Sequence, residues 1–428
     1  MFDFSEEDII DLEIEIHSSI DKYLSENGIQ QCQPEFYKTM VDKITQDYLD
    51  DLITIGFIEE DRPYEKIFKK FRKMIHVFIK NYFTIIGIPR RCYQNPRPLT
   101  YEVVCKPKVK MQIEKLQNFT QMVQRTNEWY QFRHNLITAS NIWKTIGSEA
   151  NQNSLILEKC KPMGSESSFE SVNTDSPLHW GVKYEPLTVM LYEKRNRCKV
   201  GEFGCIQHPA YSFIGASPDG IVVSEDSSAY GRMLEIKNVV SREITGIPKM
   251  DYWVQMQVQM EVCNLNECDF VETQFKEYGE IDEELFYKNK HKYLYNGVIL
   301  YFIKSNFADA KPHYVYMPLN IQLDKTAIGE WINEKKMELK ESHILFKRIY
   351  WYCEAYSCVL VKRNRPWFEM ALPKIEQLWN TVEKERVTGY EHRKPKKRVS
   401  AEKKCLISKL VREEVENVFI ESEENEQM

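Results

Sequence analysis

Apolar residues recur at three- and four-residue spacing through the first ninety positions, Ile9, Leu12, Ile16 and Ile20 among them, in a background of helix formers. This predicts a helical N-terminal domain over 1–90. Gly87, Pro89, Pro96 and Pro98 then punctuate the chain, so 91–109 reads as a linker. From 110 the pattern alternates between the two periods. Helices are predicted over 110–133, from Thr138 with its hydroxyl as N-cap, over 177–195 and over 251–263. Strands are predicted over 199–207, 212–215, 220–224, 233–239, 268–275, 297–304 and 313–317. The order gives an α+β fold class with a central mixed sheet, a core over 110–320. Beyond it, 321–390 holds two helical stretches, 325–340 and 373–387, around an aromatic-rich segment at 349–356. A charged tail, 391–428, opens with the basic run 392–398 and ends acidic.

Composition narrows the function classes. At 428 residues with 43% hydrophobic and 12% aromatic residues, the chain can build two domains, or one large domain with an appendage, around packed cores. A formal net charge of −6 excludes a protein that coats nucleic acid by bulk electrostatics, so any contact with DNA must be a local patch. The eleven cysteines lack CxxC spacing, and the nearest pairs, Cys263 with Cys268 and Cys353 with Cys358, fit neither a zinc ribbon nor an iron–sulfur site. With no apolar run of membrane length and no signal-type N-terminus, the expectation is an intracellular, reducing compartment and no membrane association.

The informative stretch is Gly215-Ala216-Ser217-Pro218-Asp219-Gly220, followed by Glu235-Ile236-Lys237. Ser-Pro-Asp-Gly is turn chemistry, with Pro setting φ and Gly tolerating positive φ, which puts Asp219 at the tip or start of a strand. Alternation along a strand then projects Glu235 and Lys237 to one side while Ile236 faces the core. Two carboxylates from neighbouring strands are the hard oxygen ligands Mg²⁺ takes, and the Ile236 carbonyl can be a third. Phosphodiester hydrolysis needs a deprotonated water and an offset for charge on the leaving oxygen, and Lys237 is placed to lower the water's pKa or position it, provided carboxylates do not saturate it. Each half alone is common turn or surface chemistry. The ordered combination is specific.

These residues resemble the PD-(D/E)XK nuclease superfamily, and within it the YqaJ-like, phage lambda exonuclease-type recombination nucleases, over roughly 115–280. Five motifs carry the resemblance in order: Trp129-Tyr130-Gln131-Phe132-Arg133 with Ile137-Thr138-Ala139-Ser140; Gly181-Val182-Lys183-Tyr184-Glu185; Ser217-Pro218-Asp219-Gly220; Glu235-Ile236-Lys237; and Tyr252-Trp253-Val254-Gln255-Met256-Gln257. Asn238-Val239-Val240 replaces the small, Pro-containing tail usual after Glu-x-Lys. The resemblance implies a restriction-endonuclease-like α/β/α core with Asp219, Glu235, Lys237 and Gln255 catalytic. It implies Glu185, Asp219, Glu235 and Ile236 around two Mg²⁺ ions, for which Mn²⁺ can substitute, and Arg133 and Ser140 on a terminal phosphate. It further implies a 5′–3′ exonuclease on double-stranded DNA ends that makes single-stranded tails for recombination and repair, with a single-strand annealing protein as partner and a ring-shaped trimer as assembly. Extra segments at both ends resemble nucleases of large DNA viruses, which would place the protein in host cytoplasm or nucleus.

Two alternatives are weighed beside it: a structure-selective or restriction-like endonuclease of the same fold, and a non-catalytic DNA-binding protein with a decayed core. Gln255 and Gln259 lie four apart on one helix face, and Gln255 is the one expected to orient the water; Gln257 faces elsewhere and reads as an ordinary helix residue. Arg133 could instead be a surface residue paired with Glu128. The run 392–398 reads either as a phosphate-binding arm or as a solvated tail, the commoner case.

Overall fold

The computed structural model describes residues 5–56, 58, 64–94, 106–119, 126–163, 174, 176–279, 283–304 and 312–394. The chain begins with three helices, α1 (Glu6–Asn27), α2 (Phe36–Thr54) and α3 (Tyr64–Ile85). Ser5 and Asp8 form a reciprocal cap on α1, the Ser5 hydroxyl accepting from the Asp8 N–H at 3.1 Å while the Asp8 carboxylate accepts from the Ser5 N–H at 2.8 Å. Of the predicted stripe, Ile16 and Ile20 are buried and Leu12 packs on them, whereas Ile9 stays at the surface. With Phe36, Met40, Phe71 and Ile75 they make a core separate from that of the sheet.

After β1 (Tyr93–Gln94), α4 (Lys106–Gln117) and α5 (Asn127–His134) occupy the region where one helix is predicted. α5 has its own start, because the Thr126 hydroxyl accepts from the Trp129 N–H at 3.3 Å. Thr138 ends β2 (Ile137–Thr138) and its hydroxyl bonds Ser140 at 3.0 Å, so the predicted side-chain cap on α6 (Ala139–Ile142) does not form. α7 (Glu149–Cys160) and α8 (Pro177–Asn196) follow, then short strands β3 (Val200–Gly201), β4 (Ile206–Gln207), β5 (Ile214–Ala216) and β6 (Gly220–Val222). The single strand predicted over 199–207 is divided because β3 joins one sheet and β4 another.

The remaining elements are β7 (Met233–Asn238), α9 (Met250–Cys263), β8 (Glu267–Glu277), α10 (Glu283–Asn289), β9 (Asn296–Lys304), β10 (His313–Tyr316), α11 (Lys325–Leu339), β11 (His343–Lys362) and α12 (Arg365–Thr388). The main sheet runs β10-β9-β11-β8-β7-β6-β3, and β2-β5-β4 form a second, small sheet. Along the main path only β7 and β8 pair in parallel, joined by α9 as a crossover, so the sheet is mixed and the fold class is the α+β one expected. The aromatic segment belongs to β11, a twenty-residue strand that pairs with β8 on one side and with β9 and then β1 on the other. The helix predicted over 373–387 starts eight residues earlier. Asn364 caps it at 3.1 Å and its buried face of Trp367, Ala371 and Ile375 runs through Pro373.

The N-terminal unit docks on this body by polar contacts around the turn that ends α1. Trp367 Nε1 donates to the Ile29 carbonyl at 3.0 Å, Asn364 Nδ2 to Gln31 Oε1 at 2.9 Å, and Arg91 Nη2 to the Cys32 carbonyl at 2.9 Å. At the other end, Arg393 clasps Glu385 and so ties the start of the basic run to α12, while Lys394 pairs locally with Glu391. Residues 395–398 of that run, like 95–105 of the predicted linker, lie outside the described residues.

Candidate active site

The site forms where β6 stops pairing with β7. Gly220 is opposite Leu234, and the Asp219 N–H donates to the Leu234 carbonyl at 3.2 Å. One rung further, no strand residue is left to meet Ile236, and the Asp219 carboxylate takes that place, Oδ2 accepting from the Ile236 N–H at 2.6 Å. The N–H and C=O of a strand residue point to the same edge, so the Ile236 carbonyl opens towards Asp219 as well. Gly220 is needed for space rather than for positive φ: it is extended, and a Cβ there would sit 2.3 Å from Val200 Cγ1. The predicted turn chemistry is thus replaced by strand chemistry, while Asp219 keeps its position at a strand start.

Glu235 is 0% exposed, a buried carboxylate that must be paired to be tolerated. Lys237 donates to Oε1, and Oε2 accepts from Gln255 at 2.9 Å and from Gln259 at 2.8 Å. Gln259, which also reaches the Ser217 carbonyl at 3.3 Å, is a residue the sequence reading passed over although its spacing from Gln255 put both amides on one helix face. Gln257 points away, donating to the Lys362 carbonyl at 3.0 Å and accepting from the Asn364 N–H at 2.7 Å. It is no ordinary surface position: it staples α9 to the corner between β11 and α12.

The charges form a coupled set. Burial and then Glu235 hold the Asp219 carboxyl well above the usual carboxylate range, and Glu185 pushes the same way, against Lys237 and the Ile236 N–H. Burial works against the Lys237 ammonium, but Glu235 and Asp219 outweigh it and raise its pKa. The ammonium also lies 4.8 Å from the centroid of the Tyr252 ring. The two carboxylates therefore favour the charged form of Lys237.

Glu185 projects from α8, which the Ser176 hydroxyl caps at 3.1 Å and whose buried Leu187, Leu191 and Tyr184 fix its roll, Tyr184 stacking on Phe275 with centroids 4.6 Å apart. Asn238, the residue that departs from the family's tail, locks α8 to β7: it accepts from Thr188 at 2.7 Å and donates to the Gly181 carbonyl at 3.0 Å. Arg133, at the end of α5, lies 4.5 Å over the Trp129 ring and donates to the Ser217 hydroxyl at 3.4 Å, which brings it to the Asp219 loop. Ser140 is exposed on α6, bonded to Thr138.

The donor set fits a hard divalent cation. Asp219 and Glu235 carry oxygens at one strand edge beside a main-chain carbonyl, and their mutual repulsion is what a cation relieves. Among the described residues no group of three or more His, Cys, Asp or Glu converges closely enough to hold a metal ion.

This arrangement, Asp before a strand and Glu-x-Lys on its neighbour with two helices completing the site, coincides with the segment that a family model recognises. Residues 128–266 match the YqaJ-like viral recombinase domain. The resemblance read from the five motifs is thereby borne out. An uncharacterized protein of Acanthamoeba polyphaga mimivirus is 29% identical over 303 residues, covering 63% of this chain, which supports an origin in a large DNA virus; the chain spans only about half of that relative, 54%. Solved structures similar to the chain include the alkaline exonuclease of Laribacter hongkongensis, crystallised with dAMP (18% identity, TM-score 0.35, 61% of this chain and 94% of that one). A phage-related exonuclease of Haemophilus somnus 129PT is similar at 14% identity and TM-score 0.31, covering 58% of this chain and 94% of the other. No helix among the described residues is long and apolar enough to cross a membrane.

Proposed function

We propose that this chain is a divalent-metal-dependent deoxyribonuclease that degrades double-stranded DNA from its ends, 5′ to 3′, and leaves single-stranded tails for recombination. The observation that carries the reading is Asp219 completing the edge of β7 beside Glu235 and its partner Lys237. Bound Mg²⁺ would supply Lewis-acid activation of water and offset charge on the phosphate. Asp219, Glu235 and the Ile236 carbonyl would hold it, and Glu185, whose charge already acts on Asp219, would serve a second ion through water.

Lys237 supplies fixed positive charge next to the attacked phosphorus, stabilising the transition state and the nucleophile rather than taking its proton. Gln255 keeps one amide on Glu235 and can turn towards the water, while Gln259 and Lys237 hold the carboxylate in register. Arg133, propped on Trp129, presents a planar fork to a terminal phosphate, and the exposed Ser140 hydroxyl can add a donor. A homo-oligomer, trimeric by resemblance, and a single-strand annealing protein remain the expected associates.

The test is digestion of linear duplexes labelled at either end, with and without a 5′-phosphate, in Mg²⁺, in Mn²⁺ and in EDTA, beside covalently closed circles. Metal-dependent loss of the 5′ end, with circles intact, is the expected result. Rapid cutting of circles would replace the reading by an endonuclease. Equal cleavage by Asp219→Asn and wild type would refute the site assignment, and no cleavage by wild type in either metal would leave a DNA-binding protein.

A further inference from the structure

Away from the acidic centre, a cleft of about 840 Å³ lies between the helical unit and the main body. It is bounded by α3, by the segment that leads into β1, and by the corner after β11. Its polar rim is one-signed: Lys80, Arg90, Arg91, Lys362 and Arg363 line it, and among the described residues no Asp or Glu does, in a chain whose net charge is −6. Arg363 is neutralised by Glu261, with Nε donating at 2.6 Å, whereas Lys80, Arg90 and Arg91 face a cleft with no carboxylate in its described lining. The opposite wall is apolar and aromatic, formed by Tyr37, Ile79, Phe83 and Tyr93.

Arg91 is the informative member. It is 93% buried by its 7% exposure, and Nε and Nη2 share the Cys32 carbonyl at 3.3 and 2.9 Å, while Nη1 is buried with no partner. A buried guanidinium without a counter-charge is costly, and burial pulls its pKa down to about 10 because only thiols stand near enough to oppose the effect. An anion in the cleft would supply the missing acceptor.

We infer that this cleft is a second phosphate site, distinct from the acidic centre, that takes a nucleotide unit: the phosphate on Arg91, Arg90 and Lys80, the base against the Tyr37, Phe83 and Tyr93 wall. A volume of this size suits a nucleotide, and cations facing an aromatic wall are the chemistry by which strands are gripped without sequence preference. The source is either a free mononucleotide or one unit of a single strand. The inference does not depend on the acidic centre being a nuclease.

Binding to the full chain, followed in EDTA by calorimetry for inorganic phosphate and dAMP and by anisotropy for a labelled oligothymidylate, separates the possibilities. The background is Arg133→Ala, which removes the phosphate clamp proposed for the other site. The Lys80→Ala/Arg90→Ala pair, both exposed and therefore safe for folding, should weaken dAMP or oligonucleotide binding at least tenfold, whereas Lys336→Ala on α11 should not. Loss confined to the oligonucleotide, with a salt slope shallower by ~0.7 for each phosphate contact removed, identifies the strand as the source. Loss of dAMP binding identifies the mononucleotide. Unchanged binding in the double variant overturns the site, and phosphate binding as tightly as both nucleotide probes overturns the base-stacking half.

Discussion

Glu235 shows how much of the proposed chemistry rests on single buried groups. Its carboxylate is fully enclosed, so each of the three donors on it offsets a desolvation cost of several kcal/mol. Glu235→Gln should abolish cleavage, a loss of about 10³-fold or more in kcat on the scale of removing a metal ligand or a preorganised charge, while DNA retention in a gel assay survives. Gln259→Leu removes one amide without touching substrate. We expect a smaller drop in kcat, roughly tenfold, equivalent to ~1.4 kcal/mol, with KM little changed. A fall in KM affinity instead would show that Gln259 contacts DNA. Lys237→Arg should not rescue activity, because the wider guanidinium fork cannot keep its place between Glu235 and the Tyr252 ring.

Elements decide where those residues stand. β6 is three residues long and brings Asp219 to the edge of β7 only because Gly220 lets β3 approach. Gly220→Ala should cost about 1–3 kcal/mol by overpacking against the stiff Val200 side chain, read as a fall in the denaturation midpoint, and Val200→Ala should restore much of it. Failure of that rescue would mean strain in the backbone instead. At the chain's far end, Glu385 is held below its ordinary pKa, first by its hydrogen bond with Arg393. A depressed carboxylate contributes stability above its unfolded pKa and loses it as pH falls through the folded one. The Tm difference between wild type and Arg393→Ala should therefore be full near neutrality and shrink as the solution is acidified below about pH 4.5. A difference independent of pH would show that Arg393 acts by packing.

At the scale of the whole molecule, β11 and α12 are integral to the architecture: the strand is the sheet's spine and the helix carries the docking surface for the N-terminal unit. Deleting the residues before Arg91 would expose Trp367 and strip the carbonyls that Arg91 and Trp367 use. We expect the truncated chain to aggregate or melt well below the full one, measured by light scattering and calorimetry. A truncated chain with unaltered melting would show that the helical unit is an independent appendage.

Local chemistry made much of this legible in advance. Helix periodicity marked α1, α8 and α9, alternation marked β7 and β9, and the ordered Asp219, Glu235 and Lys237 marked a common pocket, because strand geometry sends i and i+2 to one face whatever surrounds them. Other features depended on what packs against what. Gln259 joined Glu235, and Gln257 turned into a staple, only once α9 had a sheet on one side and α12 on the other. Which carboxylates would face the Lys237 ammonium, and so favour its charged form, was decided by the convergence of Glu235 and Asp219 on it. The long β11, the divided strand at 199–207 and the cationic cleft arise from pairing between segments far apart in sequence. The amino-acid order sets intrinsic periodicity and the stock of chemical groups; which partner occupies each edge, and hence which groups stay charged, is a property of the assembled chain.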